Sequence, residues 1–151
     1  MTPPPAHSGP TSHEATAGQH HGARLGLPAS GTGSLATLGR RVPALVIDWF
    51  ACQAIALGLL TRLIDVDPGA RSFLPLAVFL VENVVLVALT GTTLGHRLLG
   101  MHVVAPHRPG VSWLQSLIRA VLLCLVIPAV VWDADGRGLH DRAAGTLLLR
   151  T

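Results

Sequence analysis

The chain has 151 residues, enough for one domain, and a net charge of only +3. Half of it is hydrophobic, 13% is charged and its mean hydropathy is +0.52, whereas a soluble domain usually carries about 25% charged residues; the balance points to a membrane protein. The eleven basic residues, all arginine, are scattered at segment ends rather than gathered in a patch, which argues against nucleic-acid binding.

Residues 1–38 form a tail rich in Pro, Gly, Ser, Thr and His, with almost no apolar periodicity. Such a segment buries too little surface to offset the cost of ordering it, so a disordered tail followed by a transmembrane domain over residues 39–151 is expected. No basic start precedes an apolar run, so the tail is not read as a signal peptide. The spacing of His7, His13, His20 and His21 matches no standard metal site.

A first apolar span covers residues 42–60, entered through Arg40 and Arg41, with Pro43 in its first turn. A polar turn with mixed charges, 62–71, leads to a second span over about 73–89, with Glu82 and Asn83 in its middle. Residues 90–104 are too short and too broken to span; they suggest a short interfacial helix around 94–99 and an extended run over 101–105. After a turn at 106–110, a third apolar segment runs from Ser112 to about Trp132, with Arg119 early and Pro128 late. A loop at 133–138 and a closing segment with a β-like end at 146–149 complete the chain. The expected fold is therefore an all-α membrane protein of about three apolar helical segments with short interfacial elements.

Each apolar segment has about the length that 30 Å of hydrocarbon requires, and helices are the open-chain way to satisfy the backbone there. Arginine asymmetry places the N-terminus and the Arg97 segment in the cytoplasm. Three full crossings would leave Arg137, Arg142 and Arg150 outside; a bend at Pro128 would instead make the third segment re-entrant and keep the chain end inside. Trp49, Trp113 and Trp132 fall at or near span ends, as an aromatic belt does. Cys52 and Cys124 lie inside apolar spans and read as small buried hydrophobes, not as a disulfide or metal pair.

Asp48 is the least ordinary of the charged residues. It lies seven positions after Arg41, on the same helical stripe, and a carboxylate in an apolar span costs roughly 2.5–3.5 kcal/mol on insertion scales unless it faces protein or water. Glu82 falls near the middle of its own span. Asp48, Glu82 and Arg119 are thus candidates for an intramembrane ion or proton site, with a structural ion pair as the plainer alternative. No cofactor motif, metal-ligand spacing or nucleophile motif appears, so neither an enzyme nor a cofactor is expected. His140 and Asp141 are adjacent, and neighbours in sequence do not usually face each other.

Three stretches, Arg41-Val-Pro-Ala-Leu-Val-Ile-Asp48, Thr93-Leu-Gly-His-Arg-Leu-Leu-Gly-Met-His-Val-Val104 and Gly138-Leu-His-Asp-Arg-Ala-Ala-Gly-Thr146, occur in the order that resembles the RDD family of small bacterial membrane proteins. The resemblance covers about residues 39–150 and implies that Arg41, Asp48 and Asp141 are the arginine and two aspartates that name the family, with Arg119 as a further arginine before the last apolar segment. His96 stands where a lysine is usual, and Pro43 where a larger apolar residue is common. The resemblance implies a multi-pass protein of the bacterial plasma membrane, with links to transport that include sodium–proton exchange.

Two function classes follow: a transport or cation/proton-exchange unit, oligomeric because three short helices enclose little, or a non-catalytic accessory or scaffold subunit that binds a membrane-protein partner. If the first and third segments start at the cytoplasmic face, Asp48 and Arg119 lie at matching depths of roughly 9–10 Å, which predicts an Asp48–Arg119 pair, with Arg41 and Asp141 pairing nearer the surface if the chain end returns inside.

Overall fold

The structure is a computed structural model that describes His20 and residues 22–106, 108–125 and 137–151. The bend expected at Pro128, Trp132, most of the loop at 133–138 and the tail up to residue 19 lie outside the described residues.

The first helix, α1 (Leu38–Leu63), is the single described helix both long and apolar enough to cross a membrane. At 1.5 Å per residue its 26 residues extend about 39 Å. Only 22% of its apolar window is buried in the protein, unlike the core helix of a soluble domain. It begins one turn earlier than the apolar run predicts, because the backbone N–H groups of Arg40 and Arg41 both bond to the Thr37 carbonyl. Pro43 is consequently in the helix interior, not in the first turn. Residues 54–60 wind as a π-helical stretch before a last α turn. Trp49 is mid-helix, edge-on to Phe79 with ring centroids 5.8 Å apart, rather than at a span end.

Asp67 caps the short α2 (Pro68–Arg71) through its side chain, with Pro68 in the first turn. The 17-residue α3 (Leu74–Thr90) has Pro75 in its first turn and ends at Gly91, whose φ of 70° gives the left-handed closure that glycine permits without strain. Thr93 opens α4 (Leu94–Leu98), and β1 (Met101–Val104) follows. Ser112 and Gln115 form a capping box at the start of α5 (Trp113–Cys124). After the undescribed stretch come α6 (Leu139–Ala143) and β2 (Leu147–Arg150).

β1 and β2 pair antiparallel, Met101 opposite Arg150 and Val104 opposite Leu147. The fold is therefore mostly helical but not all-α: the two extended runs legible in the sequence form a ladder with each other. The segment before α1 joins it. Ala36 donates to the Leu148 carbonyl (2.9 Å), Arg150 to Ser34 (2.9 Å) and Gly33 to Arg150 (2.8 Å). Ser34, Leu35 and Ala36 are buried, so the ordered domain starts before residue 38. Composition misses this because three small or apolar residues in a polar tail carry no periodicity; their order comes from a strand edge made elsewhere.

α3 packs along α5, and α1 packs against α3 and α4. The densest apolar core sits at the sheet end of this bundle, among Ala36, Ala44, Val87, Met101, Val103 and Leu148. The outward faces remain apolar and exposed, as at Phe50, Phe73, Val81 and Leu114. Because β2 pairs with both β1 and the segment before α1, the chain end returns to the end of the bundle at which α1 begins.

Candidate functional site

Asp48 lies nearly three helical turns into α1 and is 3% exposed. Its neighbour is the start of α4, where the first N–H groups of a helix lack internal partners. Asp48 supplies one: Gly95 donates its backbone N–H to Oδ1 at 2.6 Å, and the Thr93 hydroxyl donates to Oδ2 at 2.6 Å. His96 N–H goes to Thr93 Oγ1 at 3.3 Å, and Arg97 N–H to the Thr93 carbonyl at 3.0 Å. The Leu94 N–H points toward Glu82 on α3. Two carboxylates from two helices thus face one short helix start, where the exposed N–H groups favour negative charge. Gly95 makes this approach possible: a Cβ there would overlap the Ala44 carbonyl of α1.

The second cluster centres on Asp141, which is 1% exposed. Arg119 donates from Nε to Oδ1 at 2.9 Å, and Arg41 from Nη1 to Oδ2 at 3.3 Å; His140 Nε2 lies 3.5 Å from Oδ1. Burial by itself would raise the Asp141 carboxyl, but Arg119, His140 and Arg41 outweigh it and hold it at about 2. Asp141 is therefore an anion bridging two guanidinium groups. His140 does reach Asp141 despite adjacency: its imidazole brings Nε2 to 3.5 Å from Oδ1, and both side chains are buried.

The expected Asp48–Arg119 pair is not formed. Arg119 borders the same cavity as Asp48, but its Nε is committed to Asp141, and Asp48 is satisfied by Thr93 and Gly95. Matching depth constrains only position along the axis; the lateral neighbour was decided by α4 and α6, whose placement no periodicity encodes. The Arg41–Asp141 pair is present as expected.

His96 completes a capping box: the Thr93 N–H bonds to its Nδ1 at 3.3 Å. Burial, reinforced by the Arg119 charge, lowers the imidazole to about 3, so the ring is neutral near pH 7. A neutral ring accepts at one nitrogen only. It takes either the Thr93 N–H at Nδ1 (3.3 Å) or the Arg119 Nη2 donor at Nε2 (3.5 Å), and the tautomer decides which.

Between the two clusters lies a cavity of about 50 Å³, whose polar lining is Arg41, Asp48, Asn83, His96, Arg119 and His140. The structure thus brings Arg41, Asp48 and Arg119 around one space, with Asp141 directly behind the arginines. Glu82 stands apart from it: it accepts from Cys52 Sγ at 3.1 Å, on the α1–α3 side. The sequence reading did not assign Thr93, Gly95, Asn83, His96 or His140 to the site. The Thr93–His96 capping spacing was the available signal for the first and fourth; Asn83 beside Glu82 in an apolar span was the signal for the third. Among the described residues, no three His, Cys, Asp or Glu side chains are grouped to hold a metal ion.

No curated protein and no solved structure matches the chain. The family model described as the RDD family matches residues 35–145, a stretch that includes Arg41, Asp48, Arg119 and Asp141. The chain belongs to the RDD family.

Proposed function

We propose that the protein is a multi-pass component of the bacterial plasma membrane that exchanges a cation or proton at the polar cavity, with Asp48 as the group that changes charge. The observation that carries this reading is one cavity, inside an otherwise apolar bundle, onto which Asp48 and Arg119 both open without pairing. A buried acid that merely held helices together would be expected to bond the nearest guanidinium. Asp141 does so; Asp48 does not.

In this reading α1 and α3 cross the bilayer, and the third segment enters and returns. The return of β2 to the start of α1 supports that topology, with residues 33–41, 94–104 and 137–151 at the cytoplasmic face. The cavity is too small for a path across the membrane by itself, which favours assembly of several copies. No catalysis is assigned to the site, and the bilayer is the partner that covers the exposed apolar faces.

Reconstitution tests it. Full-length protein in liposomes containing a pH-sensitive dye should move protons when an alkali-cation gradient is imposed, and D48N should abolish the flux. Correctly inserted wild-type protein without flux would overturn the reading and favour the accessory-subunit alternative, for which the fully ion-paired Arg41–Asp141–Arg119 cluster is the supporting observation.

A further inference from the structure

Where α3 ends beside β1 lies another cavity, of about 420 Å³, within the roughly 300–1,000 Å³ of small-ligand pockets. Its walls are the last residues of α3, the strand β1 and the turn that leads into α5, and it shares no residue with the Asp48 cavity. Two groups on these walls are of opposite sign and unserved. Ala88, Leu89 and Thr90 carry the last carbonyls of α3. The Gly91 N–H closes the helix on Val87 at 2.9 Å, and among the described residues nothing donates to the other three. Such carbonyls form the negative end of a helix and favour a cation. On the turn, Arg108 is exposed, and its side chain has no hydrogen bond or ion pair among the described residues.

An apolar track leaves the same place. Leu89, Val85 and Val81 follow one another at four-residue spacing down α3, and Leu89 and Val81 are 66% and 61% exposed. Trp113, 55% exposed, opens α5 two positions beyond Val111 of the cavity wall, as an aromatic residue at headgroup level does. We propose that the cavity seats the headgroup of a phospholipid bearing a primary amine, such as phosphatidylethanolamine: its ammonium on the α3 carbonyls, its phosphate on Arg108 and an acyl chain along Leu89, Val85 and Val81.

The charges match. A primary ammonium has three N–H donors, and three carbonyls are without one. A guanidinium holds a phosphate through two parallel N–H bonds. A trimethylated amine has no N–H to give, and a glycerol headgroup brings no cation to the helix end. Free phosphate lacks both the ammonium and the chain that covers the apolar track. The inference uses the proposed topology only to set the cavity in the cytoplasmic headgroup layer; exchange at Asp48 plays no part in it.

The test is native mass spectrometry of full-length protein, stripped of lipid in detergent and titrated with phosphatidylethanolamine, phosphatidylcholine and phosphatidylglycerol of identical acyl chains. The expected result is one phosphatidylethanolamine adduct, formed about tenfold more tightly than either of the others, the worth of a charge-assisted hydrogen bond. R108Q, a change in an exposed turn, should weaken that adduct by about tenfold while melting stays at the wild-type value, and R108K should recover most of the loss. A88F, which fills the cavity from the opposite wall, should abolish the adduct. Equal binding of the ethanolamine and choline lipids removes the ammonium from the carbonyls and overturns the site. Tighter binding of phosphatidylglycerol, an adduct that R108Q and A88F leave unchanged, or displacement by millimolar inorganic phosphate does so too. The headgroup comparison needs no variant, so a misfolded R108Q still leaves the outcome decided. Binding is read in detergent, where orientation and flux do not enter, so liposomes without flux remove the exchange reading and leave the lipid site standing.

Discussion

Arg119 and Asp141, 22 positions apart, form the closest buried ion pair in the described protein, Nε to Oδ1 at 2.9 Å, and the side chains are 3% and 1% exposed. Breaking a buried pair by removing one partner leaves an uncompensated charge and costs about 3–5 kcal/mol. R119Q and D141N should each lower stability by that order in detergent melting. The double variant should lose clearly less than the sum, while R119Q with D48N should be nearer to additive. Equal coupling in the two cycles would show that Arg119 divides its charge between both aspartates.

Close backbone packing at Gly95 gives a second expectation. G95A forces a methyl into the Ala44 carbonyl and lifts the Gly95 N–H from Asp48, so it should destabilise by at least the 1–3 kcal/mol typical of overpacking. Gly39, also helical, has nothing within 4 Å of an added Cβ. G39A should be neutral or gain up to about 1 kcal/mol. Melting of the two variants side by side checks it; a G95A protein as stable as wild type would mean that α4 does not lie against α1.

His96 sets a pH dependence. Its folded-state value of about 3 lies below the usual 6.5, so between the two the unfolded chain binds a proton that the folded chain does not. Stability is then complete above about pH 6.5 and falls as pH drops, by up to about 1.4 kcal/mol per unit from this group. Asp141, held at about 2, contributes stability above its ordinary carboxyl range and loses it only as pH falls below about 4. From pH 6.5 to 4.5 Asp141 adds nothing, so the difference in slope between wild type and a His96 variant isolates the histidine. H96N, which keeps a short side chain able to accept from Thr93, should flatten that slope relative to wild type in denaturation at stepped pH. Parallel slopes would place the imidazole in a solvated setting instead.

The segment before α1 separates two deletions. Residues 2–19 carry no apolar run, and their removal should leave melting unchanged. Removal of residues 2–36 takes away Leu35 and Ala36 from the core and three backbone bonds from β2, so it should lower stability by several kcal/mol. Equal melting of both deletions would sever the segment from the fold.

Topology is open to labelling. In protein with Cys52 and Cys124 replaced, single cysteines at the exposed positions Thr37, Arg97 and Thr151 should share one accessibility to an impermeant thiol reagent, and Ala70 the other. A Thr151 cysteine that labels with Ala70 would mean that the chain end does not return to the start of α1.

By itself, the sequence determined the class and the cast. Hydropathy located the apolar segments because burial in lipid or protein is a property of consecutive residues. Helical repeat placed Arg41 and Asp48 on one stripe, and both border the same cavity. The spacing of polar residues marked α4, and the short apolar runs marked the two strands. What the tertiary structure decided was partnership. Asp48 bonds Thr93 and Gly95, 45 and 47 residues away, and Arg41 reaches Asp141 across 100. Those choices depend on lateral packing between elements, which no local pattern records. The ladder through residues 33–36 is the same lesson at the backbone: a polar, aperiodic stretch is ordered because β2 offers it an edge, and an edge exists only once the chain has folded.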